Sequence, residues 1–297
     1  MNGPRLNVIA SPGQEALAEE SLLSLAGVTR RFGGLTAVED VSFTLAEGEL
    51  VGLIGPNGAG KTTLFNLITG FTAPSSGEIR WRRKVITGAP VHRIARLGIT
   101  RTFQNLRVFP NLTVFDNVSV GAIGRYRYGL LDTLLHRAPR AKEVGEATWR
   151  ALEQTGLLPY ANELAANLSY GKRKYLEIAR GLAFDPQLLI LDEPAAGLND
   201  TETGELSAFL ARLNRQGLTL LLVEHDLNLV MNLCQRVLVL AAGRLLAQGT
   251  PAEILDNRAV QDVYLGVKRR HEFINVGPHR SEAGGIVHPA GYLAAGG

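Results

Sequence analysis

The run Gly55-Pro56-Asn57-Gly58-Ala59-Gly60-Lys61-Thr62-Thr63 puts glycines where a Cβ would otherwise keep consecutive backbone N–H groups from converging on an anion. A glycine, four residues, then Gly-Lys-Thr is the spacing of a loop that cradles phosphates. Gly55, Asn57, Gly58 and Gly60 shape its backbone, and Lys61 meets the β- and γ-phosphates as a point charge. The Thr62 hydroxyl is suited to Mg²⁺, and Thr63 completes the binding set. Two apolar runs also end in ionisable groups. Leu188-Leu189-Ile190-Leu191 leads into Asp192, suited to the metal's water shell, and Glu193, suited to polarising an attacking water. Leu218–Val223 leads into Glu224 and His225, an imidazole that could contact the γ-phosphate. Ser169 and Gly171, in Asn167-Leu168-Ser169-Tyr170-Gly171-Lys172, place a hydroxyl and a glycine before a helix, a second N-terminus able to receive an anion. With one phosphate loop in the chain, the anion expected there is a nucleotide held mainly by another subunit. Gln104, in Arg101-Thr102-Phe103-Gln104-Asn105, is an uncharged candidate for orienting water or touching the metal.

Such groups must sit on a frame. Leu50–Ile54 reads as a short buried strand running into the glycine loop and then into the helical-looking Leu64–Thr69, and acids at the carboxyl end of another buried strand occupy the edge where open α/β sheets keep ligands. Upstream, Leu22–Leu25, Val28–Phe32 and Val41–Leu45 read as a β lobe, with a turn at Glu47-Gly48-Glu49. Between Phe115 and Leu168 the apolar spacing turns helical, which predicts an inserted helical lobe over about 105–185. Strands and helices then alternate: Leu188–Leu191, a helix near Thr201–Asn214, Leu218–Val223, and a hairpin from Val237–Leu240 to Arg244–Ala247. Thr250-Pro251-Ala252-Glu253 is a capping box with proline at the first helical position. Residues 1–20 are expected to be a flexible leader, 21–266 the folded unit and 267–297 a disordered tail.

Composition narrows the function classes. The chain has 297 residues, 45% hydrophobic and 20% charged, which excludes wholesale disorder. Lys plus Arg exceed Asp plus Glu by only 31 − 28 = 3, too small a surplus to make nucleic acid the default partner. The longest apolar runs fall far short of the roughly 20 residues that cross a bilayer. The lone cysteine, Cys234, has no partner for an intrachain bridge and lies in the apolar stretch Leu229–Leu240, so it reads as core.

In this order the pieces closely resemble the ATP-binding-cassette ATPases, from about Leu22 to Gly266. The resemblance implies an α/β phosphate-loop NTPase fold, with a mostly parallel RecA-like core sheet, an antiparallel β lobe and an inserted α-helical lobe. It implies ATP and Mg²⁺ as ligands and two nucleotides sandwiched between two subunits. By the same resemblance Phe32 stacks adenine, Ser169 and Gly171 are the signature residues, and Asp192 is the metal-site acid beside Thr62 and Gln104. Glu193 is then the catalytic base, His225 the switch histidine and Gln104 the lid glutamine that senses the membrane partner. The partners implied are a second ATPase subunit, identical or homologous, two integral membrane permeases and, indirectly, a solute-binding protein, with no nucleic acid. The place implied is the cytoplasmic face of a bacterial inner membrane.

Three positions depart from the family majority. Tyr170 and Lys172 stand where Gly and Gln are usual, and Lys172 either adds charge beside the γ-phosphate or faces water. Asn199 replaces the usual aspartate of the loop that contacts the opposite subunit, with Asp200 next to it. Within the family, residues 101–105, 121–150 and 192–199 and the Tyr264-Leu265-Gly266 ending are similar to ATPases of branched-chain amino-acid importers. Urea or short-amide uptake systems and lipopolysaccharide exporters share much of this pattern. Soluble family members differ by fused cassettes or coiled-coil insertions, and a GTPase would need an Asn-Lys-x-Asp run that the sequence lacks.

Overall fold

Strands buried on both faces read as unbroken apolar runs, and their period of two sends alternate side chains into different layers. That division organises this molecule. The computed structural model describes residues 21–102, 108–125 and 141–265. The expected leader and tail lie outside them, as does Gln104.

A six-stranded sheet has the order β10-β9-β3-β8-β7-β6, made of β3 (Leu50–Ile54), β6 (Ile99–Arg101), β7 (Leu188–Asp192), β8 (Thr219–Val223), β9 (Arg236–Ala241) and β10 (Arg244–Gly249). Its internal pairs are parallel, and only β10 returns antiparallel against β9. On one face Val51, Leu53, Leu188, Ile190, Leu221, Val223, Leu238 and Leu240 join a core shared with α1 (Lys61–Ile68) and with a second sheet. That sheet is antiparallel, ordered β2-β1-β4-β5, from β1 (Leu23–Phe32), β2 (Leu35–Leu45), β4 (Ser76–Trp81) and β5 (Lys84–Val85). On the other face the alternate residues Leu50, Ile54, Leu189, Leu191, Leu220, Leu222, Val237 and Val239 pack with α6 (Asp200–Arg215) and α7 (Leu227–Leu233). Gly52 belongs to this face, and a Cβ there would lie 2.5 Å from Val230 and 3.0 Å from the Cys234 sulfur, so α7 approaches the sheet closely only because the side chain is absent. A short helix, α2 (Val91–Arg96), precedes β6.

A third apolar cluster stands apart, formed by Val114, Val118 and Ala122 of α3 (Val114–Gly124), Ala151 and Leu152 of α4 (Ala141–Gln154), and Leu176, Ala179 and Ala183 at α5 (Tyr170–Leu182). The chain ends its described part with α8 (Pro251–Asp256) and α9 (Arg258–Leu265), α8 opened by the expected Thr250/Glu253 capping box.

Several elements differ in extent from the sequence expectation. β2 begins at Leu35 rather than Val41, because two irregularities in its register with β1 fall between Thr36 and Val41 and break the pattern there. α1 starts at Lys61 rather than Leu64, since its polar first turn carries the loop's cation instead of core side chains. β7 includes Asp192, so that acid is part of the strand and not of the turn.

Candidate functional site

Register brings the three strand ends together. Val223 of β8 pairs with Leu53 of β3 on one side and with Asp192 of β7 on the other, which places the glycine loop, the acids and the His225 turn along one sheet edge. From Ile54 the chain enters a loop in which Gly58 and Gly60 take φ of 77° and 102°. Gly60 caps α1, and a Cβ there would lie 2.5 Å from the Ala37 carbonyl oxygen, so the turn into the helix accepts only glycine.

Lys61, the first residue of that helix, folds back so that its ammonium donates to the Gly55 carbonyl at 2.6 Å and the Pro56 carbonyl at 3.1 Å. Burial lowers its pKa, and the charges of Glu193 and Asp192 oppose that shift, an electrostatic sign that the loop cation faces the acids of β7. Gly55 is also held from outside. Its N–H donates to the hydroxyl of Tyr264 on α9, a phenol whose pKa burial pushes upward.

Asp192 is 5% exposed and accepts from Arg101 Nη2 of β6 at 2.6 Å, while Nη1 of the same guanidinium donates to Asn66 of α1 at 2.7 Å. The acid is thereby tied to the helix that follows the loop. Glu193 leaves the strand with φ 51°, a left-handed conformation that is costly for a residue with a Cβ. Its N–H donates to the Val223 carbonyl at 2.9 Å, and its Oε1 lies 2.7 Å from His225 Nε2. The imidazole expected at a phosphate thus rests on the neighbouring acid.

Glu224 was legible in the sequence only as the residue before His225. It is buried and accepts the N–H groups of Ala195 at 2.7 Å and of His225 at 3.2 Å. Burial raises its pKa, the two N–H donors lower it, and the charges of Glu193 and Asp226 raise it further. It joins the turn after β7 to the turn after β8. No local pattern marks Glu224, Arg101 or Tyr264 for these tasks, because each acts on a residue far away in the chain.

The remaining candidates lie on other elements. Phe32, at the end of β1, is 46% exposed with the Arg30 guanidinium 4.4 Å from its ring centre, an aromatic surface at the rim of the β lobe. Ser169 caps α5 by accepting the Lys172 N–H at 3.4 Å. Gly171 packs against α6, where a Cβ would lie 3.0 Å from Glu202. In this chain the Lys172 ammonium sits over the Tyr160 ring and donates to the Tyr160 hydroxyl. Asn199 caps α6 in a full capping box with Glu202.

The geometry is that of a nucleoside-triphosphate site, and comparison with known proteins agrees. The family described as "ABC transporter" matches residues 38–196, and the one described as "Branched-chain amino acid ATP-binding cassette transporter" matches residues 244–269. The high-affinity branched-chain amino acid transport ATP-binding protein LivG of Salmonella typhimurium is 47% identical over 251 residues, which is 83% of this chain and 98% of that protein. Among solved structures, an ATP-binding cassette of an ABC transporter in its ADP conformation is 30% identical with a TM-score of 0.74, covering 83% of this chain and 99% of that one. A dimeric cassette in a post-hydrolysis state, bound to ADP and Pi, is 26% identical with a TM-score of 0.65, covering 77% of this chain and 98% of that one. With loop, strand-end acids and histidine in register and the match running through almost the whole length of its relatives, the chain belongs to the ATP-binding-cassette transporter ATPases, which bind and hydrolyse ATP to drive transport, and among them to the branched-chain amino-acid type.

Proposed function

We propose that this chain is the ATP-hydrolysing subunit of an importer for branched-chain and other hydrophobic amino acids. It works with a second cassette, two membrane permeases and an external solute-binding protein, on the cytoplasmic face of the membrane. Among the described residues no helix is long and apolar enough to cross a bilayer, which supports attachment through partners. A cavity of about 390 Å³ between the core and the helical lobe, lined by Phe71, Val91, Ile99, Val120 and Phe184 among others, offers an apolar seat for the permease contact.

The observation that carries the chemistry is the contact of Glu193 with His225 at the edge where Lys61 and Asp192 converge. The loop amides and Lys61 bind the phosphates, and Phe32 provides a face for the base. Glu193 takes the proton of the attacking water. His225 holds the Glu193 carboxylate beforehand and turns to the γ-phosphate when ATP is in place, leaving the base to its water. The donor set fits Mg²⁺: Thr62 and Asp192, with Gln104 from outside the described residues, are oxygen donors. Among the described residues no cluster of three or more His, Cys, Asp or Glu forms an all-protein cage, as suits an ion that keeps waters and binds phosphate. When bound, the ion neutralises charge on the β- and γ-phosphates. Ser169 and Gly171 close over the nucleotide of the second cassette.

Glu193→Gln is expected to keep ATP affinity while hydrolysing about 10²–10⁴-fold more slowly, read from phosphate release beside nucleotide binding. Near-normal turnover would discard the base. For the solute, vesicles holding the assembled transporter are expected to accumulate labelled leucine only with ATP inside the compartment that bears this chain. ATP-driven uptake of urea with no leucine would reassign the substrate.

A further inference from the structure

Tyr170 is the first residue of α5 after the Ser169 cap. Its hydroxyl donates to the Ala196 carbonyl at 3.1 Å. Its ring lies against Gly197, whose φ is 81° and where a Cβ would come within 3.0 Å of the ring, so ring and glycine are fitted to each other. One turn further along the same face, Lys174 is 3% exposed, and its ammonium lies 5.6 Å from the Tyr170 ring centre. That ammonium donates to the Glu193 carbonyl at 3.4 Å. The same carbonyl accepts the Ala196 N–H at 3.1 Å. Two side chains of one helix therefore grip both ends of the turn Glu193-Pro194-Ala195-Ala196.

That turn contains the left-handed Glu193, a conformation that persists only when the surroundings over-determine it. Removing a grip lets the φ of Glu193 relax, and the carboxylate moves with it. We infer that Tyr170 and Lys174 are positioning residues for hydrolysis, which hold the Glu193 backbone and make the placement of the base depend on the helix that Ser169 begins. The inference rests on the reading of Glu193 as base and of Ser169 as a contact to the nucleotide of the second cassette. Under it, a γ-phosphate seated on Ser169 acts through α5 on the base serving the other nucleotide, within one chain.

The test uses the full chain in its assembled transporter, with steady-state hydrolysis over a range of ATP concentrations. Tyr170→Phe keeps the ring on Gly197 and removes only the bond to Ala196, and Lys174→Met removes the ammonium and keeps the length of the stem. Each is expected to lower kcat about tenfold with KM for ATP changed less than about twofold, and to lower the Hill coefficient for ATP. Lys174→Arg is expected to restore at least half of kcat. The double variant should lose less than the product of the single losses, because both side chains hold one turn. Unchanged kcat in both single variants, or KM rising in step with the fall in kcat, would overturn the inference. If Lys174→Met fails to fold, Tyr170→Phe decides alone, as it deletes one oxygen from a half-exposed ring. Glu193→Gln in the same assay separates the two readings. If it is fast, the base itself is wrong; if it is slow while Tyr170→Phe and Lys174→Met run at the wild-type rate, only the positioning role fails.

Discussion

Arg101 shows how much of this site hangs on one side chain. Its guanidinium spends one nitrogen on Asp192 and another on Asn66, and both members of its ion pair are almost fully buried, at 5% and 6% exposure. A buried pair adds little over an apolar substitute of the same shape, yet removing one partner strands the other charge. Arg101→Met is therefore expected to lose roughly 3–5 kcal/mol of stability, measured by urea unfolding. An unfolding midpoint equal to that of the unaltered chain would show that Asp192 finds water or another donor. The contrast between Asp192 and Arg101 explains what could be read from the chain. Lys61 announces itself by the glycine spacing before it, and Asp192, Glu193 and His225 because they stand at the visible ends of apolar runs. Arg101 acts on a residue 91 positions away, Glu224 on one 29 away, and Lys174 on one 19 away, separations at which no local pattern exists. Lys172 was legible as a departure, but its resting place on Tyr160 is a tertiary fact.

At the scale of an element, Asn199 turns from a missing aspartate into a helix cap. Its side chain accepts the Glu202 N–H at 2.9 Å and the Glu202 carboxylate accepts the Asn199 N–H at 3.1 Å, closing the box that starts α6. Asn199→Ala is expected to cost about 1 kcal/mol in thermal or chemical unfolding, and Asn199→Asp to stay within a few tenths, since either carboxylate or amide oxygen accepts that bond. Equal stability of the alanine variant would mean that the box does not hold the helix. Asn199 and Glu202 have the spacing of a box without a second local mark beside it, whereas Pro251 at the first helical position marks the one at Thr250. Strands behaved in the same divided way. The apolar runs of β3, β7 and β8 mark those strands to within one residue, while the upstream half of β2, bent by irregular pairing and carrying Thr36, Glu39 and Asp40, has no alternation to find.

For the whole molecule, the layer between β3 and α7 sets a limit on alkaline stability. Cys234 is buried there, and burial alone pushes its thiol from 9.0 to about 12. The folded chain keeps that proton while the unfolded chain releases it, so the contribution is whole below pH 9.0 and fades as pH rises towards 12. Lys61 acts with the opposite sign, because burial lowers its pKa and the unfolded chain holds that proton longer, up to 10.5. The thiol's share amounts to about 4 kcal/mol across its window. Stability of Cys234→Ala is expected to fall less steeply with pH between 9 and 12 than that of the unaltered chain, by up to one proton. Parallel slopes in a series of unfolding curves would refute it. The same layer has a practical meaning. Because the only sulfhydryl of the chain is wedged behind Gly52 and stays protonated at neutral pH, a maleimide in water passes it by. The native chain is its own unreactive background, and a cysteine introduced at an exposed site such as Val85 or Leu246 would carry a spin or fluorescent label alone, without further engineering.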